Sequence, residues 1–413
     1  EFSDEPLVHH LKRELDQLIQ HTSGTSIEVL AGSYFFPIGT PIQLEMNAVL
    51  RQEVEISIAW PSLAVDMDVP TGMELEVGQK RSVLREFGPV SGADEPFWLG
   101  TVRQGSLYSI APPSLIGKPV LDTKLTNSVA FTVARSTALL PFQAHYKWVD
   151  RVAGERIRPV YVTPVASVIP KVNNLIARGG TQTIEVEVEA LTDSLTGDLH
   201  PFVPQGWTIQ PYGHPVTGKW QTVNIARRGE RQLFKFDITP DANAQAGPLR
   251  FEFSGPKGKA DRTLHEIDYP HIMPQVYYTP AEVKLVPMNV KTTAQRVGYI
   301  HGAGDDVPQA LEQLGVQVDI IDPAAATLQS LKAYDAIVVG IRAYNAVKPM
   351  KELNPVLKQY VFEGGTVVVQ YNTTPRFGLG GALDMVVDPP TLGPHPFTIS
   401  RDRVTVEEAP PTF

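Results

Sequence analysis

The sequence predicts a multidomain chain: an N-terminal helix, two all-β sandwiches and a closing α/β domain. Three observations carry this. At 413 residues the chain exceeds what one hydrophobic core serves. Short runs rich in Val, Ile and Thr, separated by Gly and Pro, fill residues 25–276. From Arg296 the period changes, and apolar runs alternate with an amphipathic helical segment.

The expected boundaries are 1–24 for a docking helix, 25–160 for the first sandwich and 161–276 for the second, immunoglobulin-like one. A linker is expected over 277–295 and the α/β domain over 296–413, truncated before its last helix.

Residues from Pro6 to His21 predict a helix with Leu7, Val8, Leu11, Leu15, Leu18 and Ile19 on one stripe. Such a stripe needs a partner, either the next domain or another protein. Ser26–Ala31, Ile42–Leu50, Val54–Trp60, Met73–Val77, Val129–Val133 and Ala144–Trp148 read as strands of the first sandwich. In the second, Ile184, Val186 and Val188 alternate with Glu185, Glu187 and Glu189, so one strand face is apolar and the other charged. Phe97, Trp98, Trp148 and Trp207 are read in two ways, as sandwich packing or as platforms that stack on a sugar ring. Proline punctuation between His271 and Asn289 predicts the linker.

In the last domain, Val297–Ile300 is an apolar run that breaks into His301-Gly302-Ala303-Gly304-Asp305-Asp306. A helix follows, with an Asp cap, Pro308 in its first turn and Gly315 as its stop. Val316–Ile321 and Ala336–Ile341 lack clean alternation, as parallel strands buried on both faces do. Met350–Phe362 is a further helix and Thr366–Tyr371 a fourth strand. These pieces fit an open, flavodoxin-like sheet with the second strand outside the first and the third inside it. Ligands of such sheets bind at the carboxyl edge of the strands. That places His301, Asp305 and Asp306 beside Arg342, Tyr344 and Asn345, with Tyr371 and Asn372 next along. Arg342 is the expected partner of Asp305 or Asp306, because its planar fork fits a carboxylate.

Composition excludes several classes. A net charge of -9 argues against nucleic acid, whose phosphates require a basic face. No apolar run approaches the roughly 18 residues of a membrane span. The absence of cysteine removes disulfides, thiolate zinc sites and cysteine nucleophiles. His301 with Asp305 and Asp306 lacks a second nearby histidine, so no metal site is expected, and Gly302-Ala303-Gly304 lacks the third glycine of the dinucleotide fingerprint. The opening Glu1-Phe2-Ser3-Asp4 leads to the expectation of a processed or fragmentary chain.

The segments GYIHGAGDDVPQALEQLG, DAIVVGIRAYN and LKQYVFEGGTVVVQYNT resemble the C-terminal region of large bacterial PIG-L (LmbE-like) family deacetylases. Upstream, HYKWVDRVAGERIRPVYVTPVASV and PQGWTIQP resemble the sandwich region of the same proteins. In that family an N-terminal zinc domain with a His-Pro-Asp-Asp motif removes the acetyl group of an N-acetylglucosamine-type substrate. The motif is missing here, so the resemblance implies an accessory portion with no cofactor of its own, zinc being held by the catalytic domain. It further implies that domain, or another protein, as partner through the Pro6–His21 helix, with carbohydrate as a further ligand class. The implied compartment is periplasmic or secreted. The last domain also resembles the class I glutamine-amidotransferase fold. The turn matched to its cysteine nucleophile, after Val369-Gln370, holds Tyr371-Asn372, which implies a degenerate cleft.

Overall fold

The computed structural model describes residues 6–59, 73–100, 105–110, 115–117, 123–133, 136–213, 220–288 and 290–372. Strands dominate and helices are few. Packing divides the chain into two compact units. One is Glu1–Leu175 with Gly179–Pro287, and the other is Met288–Phe413 with Ile176–Arg178. No helix of the described residues is long and apolar enough to cross a membrane.

The first unit opens with the helix Pro6–Thr22. Gly24, at φ 70°, turns the chain into the strand Thr25–Ala31. Ile19 packs on the core below, and Asp16 and Ser23 are buried. Of the expected leucine stripe, Leu11, Leu15 and Leu18 are 57%, 55% and 57% exposed, so no described part of the chain covers them. The side chains of Leu7 and Val8 lie outside the described set.

Two sheets share the core beneath this helix. The first runs in the order Gly154–Pro159, His145–Asp150, Thr25–Ala31, Ile42–Leu50 and Lys80–Phe87. The second runs Met73–Glu74, Ile56–Ala59, Thr126–Val133 and Ser136–Gln143. In Ile42–Leu50 every second residue, Ile42, Leu44, Met46, Ala48 and Leu50, is buried. These meet Ile56, Ile58, Val129, Phe131 and Leu140 of the facing sheet. Each of these side chains except Ala48 contributes about 1.5–3 kcal/mol by leaving water.

A further pair of sheets follows in the same unit. One is ordered Ala166–Pro170, Gln182–Ala190, Arg231–Pro240, Trp207–Pro211. The other is Asn174–Ala177, Glu282–Pro287, Gly247–Gly255, Leu195–Phe202, Gln221–Ile225, with Gly258–Ala260 added on Gly247–Gly255. Phe236 and Phe251, one from each sheet, are in ring contact at 5.6 Å. The outward glutamates meet cations across the strands: Glu185 with Lys235, Glu187 with Lys171 and Glu189 with Arg231.

The linker expected over 277–295 is corrected for its first part. Gln275–Pro280 and Glu282–Pro287 are strands, and the second pairs with Gly247–Gly255. Val283 and Leu285 are fully buried at alternate positions, so this segment completes a sheet. Pro280 and Pro287 sit at the strand ends, where a missing N–H costs no ladder bond.

The second unit holds four parallel strands in the order Gln317–Ile320, Arg296–Ile300, Ala336–Val339, Val367–Val369. Thus the second strand lies outside the first and the third inside it. Alternate residues feed two cores. Ile300, Ile337 and Val339 pack with Met350, Leu353, Leu357 and Tyr360 of the helix Met350–Phe362. Val297, Tyr299 and Val338 pack with Val307 and Leu311 of the helix Val307–Gln313. The truncated end expected before Phe413 lies outside the described residues.

Candidate functional site

The carboxyl edge of the parallel sheet brings three loops together. Ala303 N–H donates to Ile341 O at 2.8 Å, which ties the loop after the first strand to the loop after the third. Arg342 N–H donates to Tyr371 O at 2.8 Å, and Asn372 Oδ1 accepts from Tyr344 N–H at 3.1 Å, which adds the loop after the fourth. Close approach dictates Gly302: a Cβ there would stand 2.0 Å from Ile341 O.

Asp305 is the hub. Its carboxylate accepts the Tyr299 hydroxyl at 2.6 and 2.7 Å, Val307 N–H at 3.0 Å and Ile341 N–H at 3.4 Å. Burial pushes the Asp305 carboxyl up, yet these donors outweigh it and hold the group below the ordinary carboxylate range. Tyr299 is fully buried, and burial followed by the Asp305 bond drives its hydroxyl far above the ordinary tyrosine value. Asp306 is exposed at the helix N-cap and makes no capping bond. His301 is exposed, with its ring edge-on to Tyr299 at 5.4 Å.

The expected pair between Arg342 and Asp305 or Asp306 does not form. Among the described residues Arg342 makes no ion pair, and its buried Nε has no hydrogen-bond partner. The physical reason is twofold. Asp305 is already saturated by Tyr299 and two backbone donors, and Arg342 itself sits at φ 57°, ψ 20° on the sharp turn between the third strand and the short helix Ala343–Ala346. That turn, closed by Ala343 N–H to Gly340 O at 3.1 Å, is where this sheet holds a non-glycine residue in left-handed backbone. In the turn after Val369-Gln370, matched in the sequence to a nucleophile, neither of the described residues Tyr371 and Asn372 takes this left-handed backbone.

Tyr344 also departs from expectation. It is fully buried in the core, its hydroxyl donates to Asn354 at 3.3 Å, and burial raises it to about 12. Only its backbone N–H serves the edge. Asn345 is half-buried, and Tyr371 is 66% exposed. Asn372 is committed on both sides, accepting from Tyr344 and donating to Gln370 O at 2.8 Å.

The candidate stacking residues separate in the first unit. Trp207 is 6% exposed and donates its indole N–H to Gln245 O at 2.8 Å, so it is a core residue and no platform. It alternates with buried Ile209 on the inner face of its strand. Trp148 is half-buried, with one face stacked on Tyr146 at 5.7 Å. Phe97 and Trp98 meet edge to face at 4.9 Å on a single helical turn, and Phe97 lines a cavity of about 550 Å³. Asp94, Thr123, Gln143, His145 and Gln275 also line it. Asp94 anchors the wall, accepting Val162 N–H at 2.6 Å and Lys124 N–H at 2.8 Å. Tyr161, whose hydroxyl burial raises to about 12, closes another side by donating to Pro274 O at 2.8 Å.

No family model matches the chain, and no curated protein matches it. Among solved structures, a protein of unknown function from Porphyromonas gingivalis W83 aligns at 10% identity and TM-score 0.17, covering 63% of this chain and 99% of that one. The native conformation of E. coli alpha-2-macroglobulin aligns at 10% identity and TM-score 0.19, covering 64% and 17%. The N-terminal eight Ig domains of Down Syndrome Cell Adhesion Molecule align at 7% identity and TM-score 0.21, covering 67% and 30%. At scores of this size none of them bears on what this chain does.

Sequence reasoning missed Tyr299 and Gln370, which donates to the Tyr299 hydroxyl at 3.5 Å. Tyr299 was one apolar letter in a strand, and its position just before the strand's end was the available signal. Of the cavity of the first unit only Phe97 was singled out in the sequence, because Thr123, Gln143 and Gln275 come from segments far apart in the chain. The described residues do not fit a zinc site: no three of His, Cys, Asp or Glu stand close enough together.

Proposed function

We propose that this chain is the non-catalytic, accessory portion of a PIG-L-like zinc-dependent N-acetyl (amino sugar) deacetylase. It comprises a contact helix, two immunoglobulin-like sandwiches and a degenerate, amidotransferase-like α/β unit of flavodoxin-like order. The observation that carries this reading is Arg342. Enzymes on related sheets mount a nucleophile on a sharp strand-to-helix turn at the carboxyl edge. Here that turn holds an arginine at φ 57°, and neither the turn 340–345 nor the loop 301–306 contains a Ser, Thr or Cys. Asp305, a half-buried carboxylate of this edge, is spent on internal hydrogen bonds.

The exposed Leu11, Leu15 and Leu18 support a contact role for the N-terminal helix, since an apolar stripe left in water is a face for a further domain. Zinc chemistry belongs in this reading to that domain. The α/β cleft is tested by incubating the chain with glutamine and measuring ammonia. No release above buffer is expected, and saturable release would overturn the degenerate-cleft reading.

A further inference from the structure

The α/β edge keeps one feature that stability alone does not explain. Arg342 holds left-handed backbone at φ 57°, a conformation that glycine adopts without strain. Its side chain is half-buried, and no hydrogen bond or ion pair engages its guanidinium among the described residues. Nε is shut off from water, whereas the two Nη atoms, equally unpaired, keep access to solvent. Backbone strain and an idle guanidinium both lower stability, and residues held at such a cost gather where a site is built. Position is the second observation. Open parallel sheets bind ligands at the carboxyl edge of their strands, and Arg342 stands there. Arg342 N–H to Tyr371 O and Ala303 N–H to Ile341 O, each 2.8 Å, tie its turn to the loops on either side. The guanidinium is therefore carried on backbone already fixed for a ligand.

Charge selects the ligand. A guanidinium is a planar fork of donors, and its match is an oxyanion that presents two oxygens. Asp305 and Asp306 stand on the neighbouring loop. The first accepts from Tyr299, Val307 and Ile341, the second is exposed, and neither pairs with Arg342. Two carboxylates this near oppose a second negative charge on the ligand, which favours a monoanion over a phosphate dianion. We propose that this edge binds a small monocarboxylate, its two oxygens held by the Nη atoms of Arg342. The inference rests on the degenerate-cleft part of the proposed function and is independent of the deacetylase part.

The test titrates acetate, glycolate and benzoate into the full chain, with inorganic phosphate for contrast and ionic strength held constant with chloride. Calorimetry reads the affinity. The Nε–H resonance of Arg342 in nitrogen–proton NMR spectra, identified by its loss in Arg342→Gly, reads the site. Arg342→Gly suits the left-handed turn and keeps the fold, and Arg342→Lys keeps the charge while losing the fork. At least one acid is expected to saturate one site per chain, more tightly than phosphate, and to shift that resonance. Affinity is expected to fall about tenfold in Arg342→Lys and further in Arg342→Gly. No saturable response to any of the three acids overturns the proposal. So does phosphate binding tighter than all three, or carboxylate binding that Arg342→Gly leaves unchanged. Ammonia release from glutamine is a separate readout: it would sink the degenerate-cleft reading, whereas absent carboxylate binding sinks this inference alone.

Discussion

The Tyr299 hydroxyl donates to both carboxylate oxygens of Asp305, at 2.6 and 2.7 Å, from a ring that is fully buried between sheet and helix. This bond couples the end of the first strand to the loop that follows it. Through the Ile341 N–H, Asp305 also holds the third strand's loop. The edge is therefore pre-shaped by a polar network.

Removing Asp305 leaves the Tyr299 hydroxyl buried without its bond, and removing that hydroxyl takes the shortest donor from a half-buried carboxylate. Tyr299→Phe and Asp305→Asn are each expected to cost about 1–3 kcal/mol in urea unfolding. The double variant should cost less than the sum, with a coupling of about 2 kcal/mol. Additive losses would mean that the two side chains do not interact in solution.

Arg342 gives the opposite sign. Left-handed backbone on a non-glycine residue costs about 1–3 kcal/mol, and the buried Nε adds an unpaired donor. Arg342→Gly relieves both and is expected to raise stability by about 1 kcal/mol, after the entropy of glycine is counted. A loss in thermal or urea midpoint would show that the arginine is paired after all.

What was legible in the sequence was local periodicity. The βαβ pattern from Val297 to Ile341 could be read because both strand faces are apolar and the helix carries its cap and stop. Val283-x-Leu285 and Trp207-x-Ile209 carried the same period-two signal, but prolines disguised the first as linker, and at Trp207 the residue type left packing and stacking both open. The Arg342–Asp305 pair was misjudged for a different reason. Residue types show which partners are compatible, and they do not show that a tyrosine two positions upstream of the loop has already claimed the carboxylate. The left-handed backbone at Arg342 sits in a short turn closed by Ala343 N–H to Gly340 O, and an arginine there gives no sign of it, since left-handed backbone favours glycine.

His145 supplies a pH dependence. Burial holds its imidazole below the ordinary 6.5, against the opposing pull of the Gln143 backbone and the Glu28 charge. A base with a depressed folded pKa binds fewer protons folded than unfolded. Its contribution is therefore intact above pH 6.5 and is lost as pH falls from there through the lower folded value. Urea midpoints at pH 7.5 and 5.5 should drop more in the parent chain than in His145→Gln. Equal drops would place His145 in water.

The central claim is that this chain carries no deacetylase chemistry of its own. Acetate release from N-acetylglucosamine, measured while zinc is titrated into the full chain, tests it most directly. The predicted result is no acetate above the zinc-only control at any zinc concentration. Turnover that rises with zinc and saturates at one equivalent per chain would contradict it.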